Sequence, residues 1–298
     1  MKVTMKQISP KCLINGLSTD ELDSNLFTGT PISFPLRRIF GGQVLAQALY
    51  SAARTVEDET RVPHSLHAYF LRPGDMARNV IYDVDPIRDG RSFSTRRVVA
   101  RQHGRAIFNA SVSFQKREAG LEHQIEMPSD IPAPETLAPY GEYLAQLEKD
   151  YPELGPIFRL PINVVDVRFP DQPDLINPEK TEPIGGFWFK FNADIGEDPL
   201  LHRSALAFIS DKALMSTALR PHGIRLLGNK NFIGASLDHA MWFHDEIRVD
   251  QWIYYYLDSP RAARTRGLNR GLFYTQDGLL MASTIQEGLM RVIDEPRT

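Results

Sequence analysis

An acid, a hydroxyl and an amide stand in this chain where the surrounding pattern calls for apolar side chains. Asp211 falls one turn after Ala207 and Phe208 and one turn before Leu214 and Met215, inside a run whose apolar residues recur at helical spacing. Aspartate is a poor helix former there, and a buried carboxylate is costly unless it has partners. Gln286 shares a predicted strand face with Leu280, Ala282 and Met290, and Ser236 opens an apolar strand just before Leu237. Each has an ordinary reading: a half-exposed Asp at a helix edge, a satisfied core glutamine, a strand-start hydroxyl. The functional reading is a carboxylate held against the core to act on a substrate. Leaving an amide such as that of Gln286 buried and unpaired costs about 1–3 kcal/mol, so its partners matter.

Other candidates are weaker. His239 and His244 flank Met241-Trp242-Phe243, but a five-residue spacing on a strand sends them to opposite faces, which argues against a shared metal. His67 is read either as lining a pocket or as a core or rim histidine. Gly41-Gly42 opens a second apolar helix running from Gln43. The pair allows either tight packing of the helix end or close approach of a ligand to free amides. No Gly-x-Ser-x-Gly elbow, Walker loop or dinucleotide fingerprint is present.

The elements that must position these residues follow one order twice. Helix Gln43 to Arg54 precedes strands at His64–Leu71, 80–84, 92–100 and 105–115. Along the last, Ala106, Phe108, Ala110, Val112 and Phe114 alternate with polar residues. A helix spanning Leu200 to 216, with Asp198 as its N-cap and Pro199 in its first turn, precedes strands at 235–243, 252–257, 264–274 and 279–290. Ser65-Leu66 echoes Ser236-Leu237 at an offset of 171, and Gly104 echoes Gly278 at 174, so a tandem duplication is expected. Eleven of the 21 prolines lie between Pro128 and Pro183, where periodicity fades except near Asn163 to Phe169. The expected organisation is a first unit over 1–117, a proline-rich connection over 118–183 contributing one strand, and a second unit over 184–298.

The totals fit a globular protein of one large or two ordinary domains: 298 residues, 42% hydrophobic, 24% charged, net charge −3. That balance gives no general attraction to nucleic acid or anionic membrane. The single cysteine, Cys12, cannot form an internal disulfide. The first residues lack the apolar run of an export signal, the last four are not a peroxisomal address, and no stretch approaches a membrane span. A cytoplasmic location is expected.

Several ordered stretches together resemble the acyl-CoA thioesterase II family, which includes bacterial thioesterase II and related peroxisomal enzymes. They are Arg38-Ile39-Phe40-Gly41-Gly42-Gln43-Val44, His67 to Asp75, Leu237 to His244, Phe273 to Gly278, and Gln286-Glu287-Gly288. The resemblance runs from about residue 36 to 291. It implies an α+β double hot-dog fold, two tandem units each with a long helix wrapped by an antiparallel sheet. It also implies hydrolysis of medium- to long-chain fatty acyl-CoA to fatty acid and CoA, with no metal or organic cofactor, in a homo-oligomer, either dimer or tetramer. The family's catalytic aspartate, hydroxyl and glutamine match Asp211, Ser236 and Gln286; serine stands where the bacterial type has threonine. Free amides near Gly42 and Gln43 are candidate donors to the thioester oxygen. Arg261, Arg264 and Arg266, or Arg96 and Arg97, are candidates for the CoA phosphates. Competing readings are a hydratase or dehydratase on the same fold, disfavoured because the matched set holds no His, a non-catalytic acyl-CoA-binding regulator, and a scaffold.

Overall fold

The structure, a computed structural model, describes residues 9–32, 38–152, 164–226 and 228–293. The two chain ends from which the absence of address signals is read, and Asn163, lie outside these residues. Apolar alternation builds most of the chain into one antiparallel sheet. In chain order its strands are β1 (Asp20–Asp23), β2 (Leu26–Gly29), β3 (Arg61–Phe70), β4 (Val80–Asp89), β5 (Phe93–Gln102), β6 (Arg105–Lys116), β7 (Val165–Arg168) and β8 (Ile184–Phe191). They continue with β9 (Phe232–Ser236), β10 (Asp238–Phe243), β11 (Ile253–Ala263), β12 (Arg266–Thr275) and β13 (Leu280–Val292). The order across the sheet is β1-β2-β4-β5-β6-β3-β10-β13-β12-β11-β8-β7, with β9 also on β13. The halves therefore join edge to edge through β3 and β10, from Tyr69 opposite Asp238 to Ser65 opposite Trp242.

Among the helices, α1 (Pro10–Asn15) and α2 (Gly41–Ala53) belong to the first half, and α3 (Tyr140–Asp150) to the connection. The second half holds α4 (Pro199–Ser210) and α5 (Leu214–Leu219). α2 is buried on nearly every side because it lies between the sheet and α4. Gly42 makes that approach possible: a Cβ there would stand 2.1 Å from the Phe208 carbonyl oxygen. On the sheet's inner face, Phe187, Phe189, Phe273 and Tyr255 fill the core of the second half, with Tyr255 and Phe273 stacked at 3.9 Å between centroids. Among the described residues, no helix is long and apolar enough to cross a membrane.

The helix expected over 200–216 is two helices. Asp198 caps its start, accepting from the Leu200 amide at 2.9 Å. The helix ends at Ser210, with Asp211 as C-cap, and Ala213 adopts a left-handed φ of 67° before α5 begins. Alanine in that conformation stores about 1–2 kcal/mol of strain. No Gly or Asn marks the break, which is why periodicity runs straight through it. Two strands and a short helix before residue 30 also carry no clear sequence pattern, whereas α3 does: Tyr140, Tyr143, Leu144 and Leu147 recur at helical spacing inside the connection where periodicity was expected to fade.

Candidate functional site

Asp211 owes its place to that broken helix. As the residue after the last turn of α4, it faces the start of α2, where Gly41 leaves room for it. A Cβ on Gly41 would lie 2.6 Å from Asp211 Oδ2 and 2.9 Å from the Phe70 ring. The last carbonyl of α4, that of Ser210, is held by the buried Tyr255 hydroxyl at 2.7 Å. Burial pushes the Asp211 carboxyl up to about 6. The Ser236 hydroxyl, the Gln286 carboxamide, the Gly42 backbone amide and the Arg38 guanidinium each pull it part of the way back. The Gly42 amide belongs to the first turn of α2, so the positive end of that helix favours the ionised carboxylate. Lys212, the next residue, points elsewhere, its ammonium 5.9 Å above the Tyr140 ring.

Ser236 and Gln286 reach Asp211 because of a β-bulge. β9 pairs Ser236 with Gly288, whereas β10 pairs Ala240 with Ile285, so one extra residue is inserted around Leu237. The Asp238 carboxylate accepts from the Glu287 amide at 2.7 Å and fills in for the interrupted ladder. In a regular strand Ser236 and His239 would face opposite ways. The bulge turns both toward Gln286. Gln286 Nε2 donates to Ser236 Oγ at 2.6 Å, and the Ser236 hydroxyl donates to Asp211 Oδ1 at 3.0 Å. On its other side Gln286 Oε1 lies 2.9 Å from His239 Nδ1. Gln286 is 1% exposed and shares the inner face with Thr284 and Ala282; a second bulge near Met281 takes Leu280 off that face.

In the sequence, His239 stands out only as a metal-ligand candidate beside His244. Its own pattern hides it, because strand parity places it away from Ser236 unless the bulge is known. It is 1% exposed, and its Nε2 lies 2.9 Å from both Ser210 Oγ and Thr284 Oγ1. Burial holds its ring well down, to about 4, so it is neutral at neutral pH. With both nitrogens bonded and no open surface it cannot act on a substrate directly. The Ser210 hydroxyl beside it is fully buried, so this serine and histidine do not form an accessible nucleophile and base. His244 lies on the other face, bonded to Ser283 Oγ at 2.8 Å. Among the described residues, no group of three or more His, Cys, Asp or Glu side chains is placed to hold a metal ion.

The first half repeats the scaffold without the chemistry. β3 carries a bulge between Pro63 and Ser65, as the second half does around Leu237. Matching registers put Pro63 at the place of Ser236 and Leu66 at that of His239. Val112, paired with Arg96, corresponds to Gln286, paired with Asn269. The Ser65-Leu66 echo at an offset of 171 is therefore out of register by two residues, while the Gly104 echo at 174 stands. Pro63, Leu66 and Val112 thus put apolar side chains where the second half has Ser236, His239 and Gln286.

Not every sequence candidate joins this cluster. The Gly42 amide is directed to the Asp211 carboxylate. The Gln43 amide donates to the Phe40 carbonyl at 3.1 Å, and its buried side chain bonds Ile32, Gly16 and Thr30. Neither amide is open to a thioester oxygen in this state. His67 is exposed on the outer face of the sheet, edge-on to Trp242 at 5.2 Å, because β3 alternation sends Leu66 and Ala68 inward instead. Arg96 is buried, tied to Thr55, Arg88 and Asp89, and is no phosphate ligand. Arg97 and Arg266 pair with Asp85 and Glu287.

Two long helices back to back, wrapped by one antiparallel sheet, with an acid-centred cluster where they meet, define a double hot-dog protein. Residues 179–289 match the acyl-CoA thioesterase family, and residues 30–115 match the family described as the acyl-CoA thioesterase N-terminal domain. Acyl-coenzyme A thioesterase 8 of Mus musculus is 40% identical over 286 residues, covering 93% of this chain and 88% of its own. Acyl-CoA thioesterase 2 of Haemophilus influenzae is 38% identical over 286 residues, covering 94% and 96%. The crystal structure of an acyl-CoA thioesterase II from Mycobacterium marinum superposes with a TM-score of 0.76 at 36% identity, over 96% of this chain and 99% of that one. The chain belongs to the acyl-CoA thioesterase family.

Proposed function

We propose that this protein hydrolyses fatty acyl-CoA to free acid and CoA by direct attack of a water held by Asp211, Ser236 and Gln286. The observation that carries this is the placement of one hydroxyl, Ser236 Oγ, 3.0 Å from the carboxylate and 2.6 Å from the carboxamide. A base needs a proton affinity near the working pH, and burial brings Asp211 to about 6. The carboxylate takes a proton from water as the water oxygen bonds to the thioester carbonyl carbon. The tetrahedral intermediate then collapses, the carbon–sulfur bond breaks, and the CoA thiolate takes the proton back from Asp211. Ser236 and Gln286 limit the motion of the attacking water, a positioning role. A hydratase or dehydratase needs a His facing its substrate, whereas His239 is enclosed behind Gln286.

The test is thiol release from palmitoyl-CoA by the parent and by Asp211→Asn, with binding of the same ligand measured separately. Retained binding with turnover reduced at least about 10²-fold is expected; unchanged turnover removes Asp211 from the mechanism. Medium and long acyl chains, a cytosolic location and a homo-oligomer complete the proposal. The single cysteine supports the second. For the third, Tyr69, 60% exposed on the outer face of β3 opposite Asp238 of β10, supplies apolar surface at the junction of the halves. Turnover over a series of chain lengths, cell fractionation and light scattering test the three parts.

A further inference from the structure

His239 sits behind the cluster just described, and Gln286 Oε1, which can only accept, faces its Nδ1, so the neutral ring carries its proton there and leaves Nε2 to accept. Ser210 Oγ and Thr284 Oγ1 both approach Nε2 at 2.9 Å, and a hydroxyl can donate there only if Nε2 carries no proton. Each hydroxyl also has a carbonyl within reach, Ala207 for Ser210 and Ala240 for Thr284, both at 2.8 Å. One of them is therefore able to donate to Nε2 while the other donates to its carbonyl. On the other side of the ring, Nδ1 donates to Gln286 Oε1 at 2.9 Å. With Oε1 committed as acceptor, the Gln286 amino group faces Ser236 Oγ. That hydroxyl, receiving a hydrogen bond from Gln286, turns its own proton to Asp211 Oδ1.

We infer that His239 is a positioning residue: by fixing which end of the Gln286 carboxamide faces Ser236, it directs the Ser236 proton to Asp211. This rests on the reading of Asp211 as the base. The first half shows what the scaffold holds without this requirement, since Leu66 occupies the equivalent place beside Val112. With His239 removed, Gln286 Oε1 loses its donor and the carboxamide is free to flip. Oε1 then competes for the Ser236 proton, Asp211 loses its hydrogen bond, and its proton affinity rises. The titratable or charged groups that face Asp211 are Arg38 from the segment before α2 and Tyr255 from β11, with His239 on β10 acting through Gln286.

The experiment measures kcat, KM and the acid limb of kcat/KM for palmitoyl-CoA in the parent, His239→Leu, His239→Asn and Asp211→Asn. Asparagine at 239 keeps an N–H where Nδ1 stood; leucine does not. His239→Leu is expected to lose about 10- to 100-fold in kcat. Its KM should stay within about twofold and its acid limb should move upward, with His239→Asn restoring most of both. A leucine variant with unchanged kcat and an unmoved limb overturns the positioning role alone, provided Asp211→Asn is inactive. An active Asp211→Asn overturns the base reading and this inference with it. Should His239→Leu fail to fold, the ring nitrogens of His239 in the parent are read by 15N NMR: a neutral ring with its proton on Nδ1 is expected, and a proton on Nε2 overturns the inference.

Discussion

Replacing Asp211 with asparagine should stabilise the protein while stopping turnover, because the site keeps a carboxylate where burial disfavours it. The folded carboxyl is pushed from 3.8 to about 6, chiefly by desolvation, against the hydrogen bonds of Ser236, Gln286 and Gly42. That rise corresponds to about 3 kcal/mol of instability carried by the ionised form. Between pH 6 and 3.8 the folded protein binds this proton more readily than the unfolded chain, so acidification returns the deficit. Above about pH 6 it is fully present. Asparagine carries no charge, still offers an acceptor to the Ser236 hydroxyl, and brings one amide hydrogen too many toward Gly42, so a gain of about 1–3 kcal/mol is expected at pH 8. Urea unfolding of both proteins at pH 8 and near pH 4 measures it. The gain should be present at pH 8 and gone near pH 4, with equal denaturant slopes. His239 acts in the opposite sense: its folded value of about 4 lies below the ordinary 6.5, so its contribution is lost as pH falls between them. It is common to both proteins and drops out of the difference. An asparagine variant no more stable than the parent at pH 8 would refute the claim that Asp211 is strained by burial.

Gly41→Ala should reduce kcat about 10²-fold or more with folding retained, since its Cβ, 2.6 Å from Asp211 Oδ2, displaces the carboxylate by a fraction of an ångström to about 1 Å. Gly42→Ala meets backbone, the Phe208 carbonyl at 2.1 Å, and should destabilise the protein by about 1–3 kcal/mol or more in urea unfolding. Ser236→Thr keeps the hydroxyl and should stay within about tenfold of the parent, whereas Ser236→Ala should lose about 10²-fold. Mass spectrometry during turnover should find no acyl adduct on Ser236, and an adduct would replace direct water attack with a covalent route. His67→Ala, on the outer face, should leave kcat and KM within about twofold.

The repeated order of helix and strands was legible because alternation at Ala110, Val112 and Phe114 and helical spacing around Leu201 and Ala205 reflect burial directly. Asp211, Ser236 and Gln286 were legible for the converse reason, as polar groups on apolar patterns. What stayed hidden depends on single-residue geometry. Ala213 ends a helix in a conformation that its side chain does not advertise, and the insertion near Leu237 reverses which residues share a face. Both lie between or beside the residues of the site. His239 was missed for that reason, and Arg96, a sequence candidate for the CoA phosphates, is drawn inside to hold the end of α2. The equivalence of Pro63, Leu66 and Val112 to the polar cluster appears only when strand registers replace local sequence echoes.

The central claim, an aspartate poised by burial to deprotonate water, is tested most directly by the pH dependence of kcat/KM on palmitoyl-CoA. A single acid limb centred near pH 6, with unit slope below it, is the expected result, reflecting one carboxyl that must be ionised. A profile flat down to pH 4.5, or a limb at the ordinary carboxylate value, would contradict it.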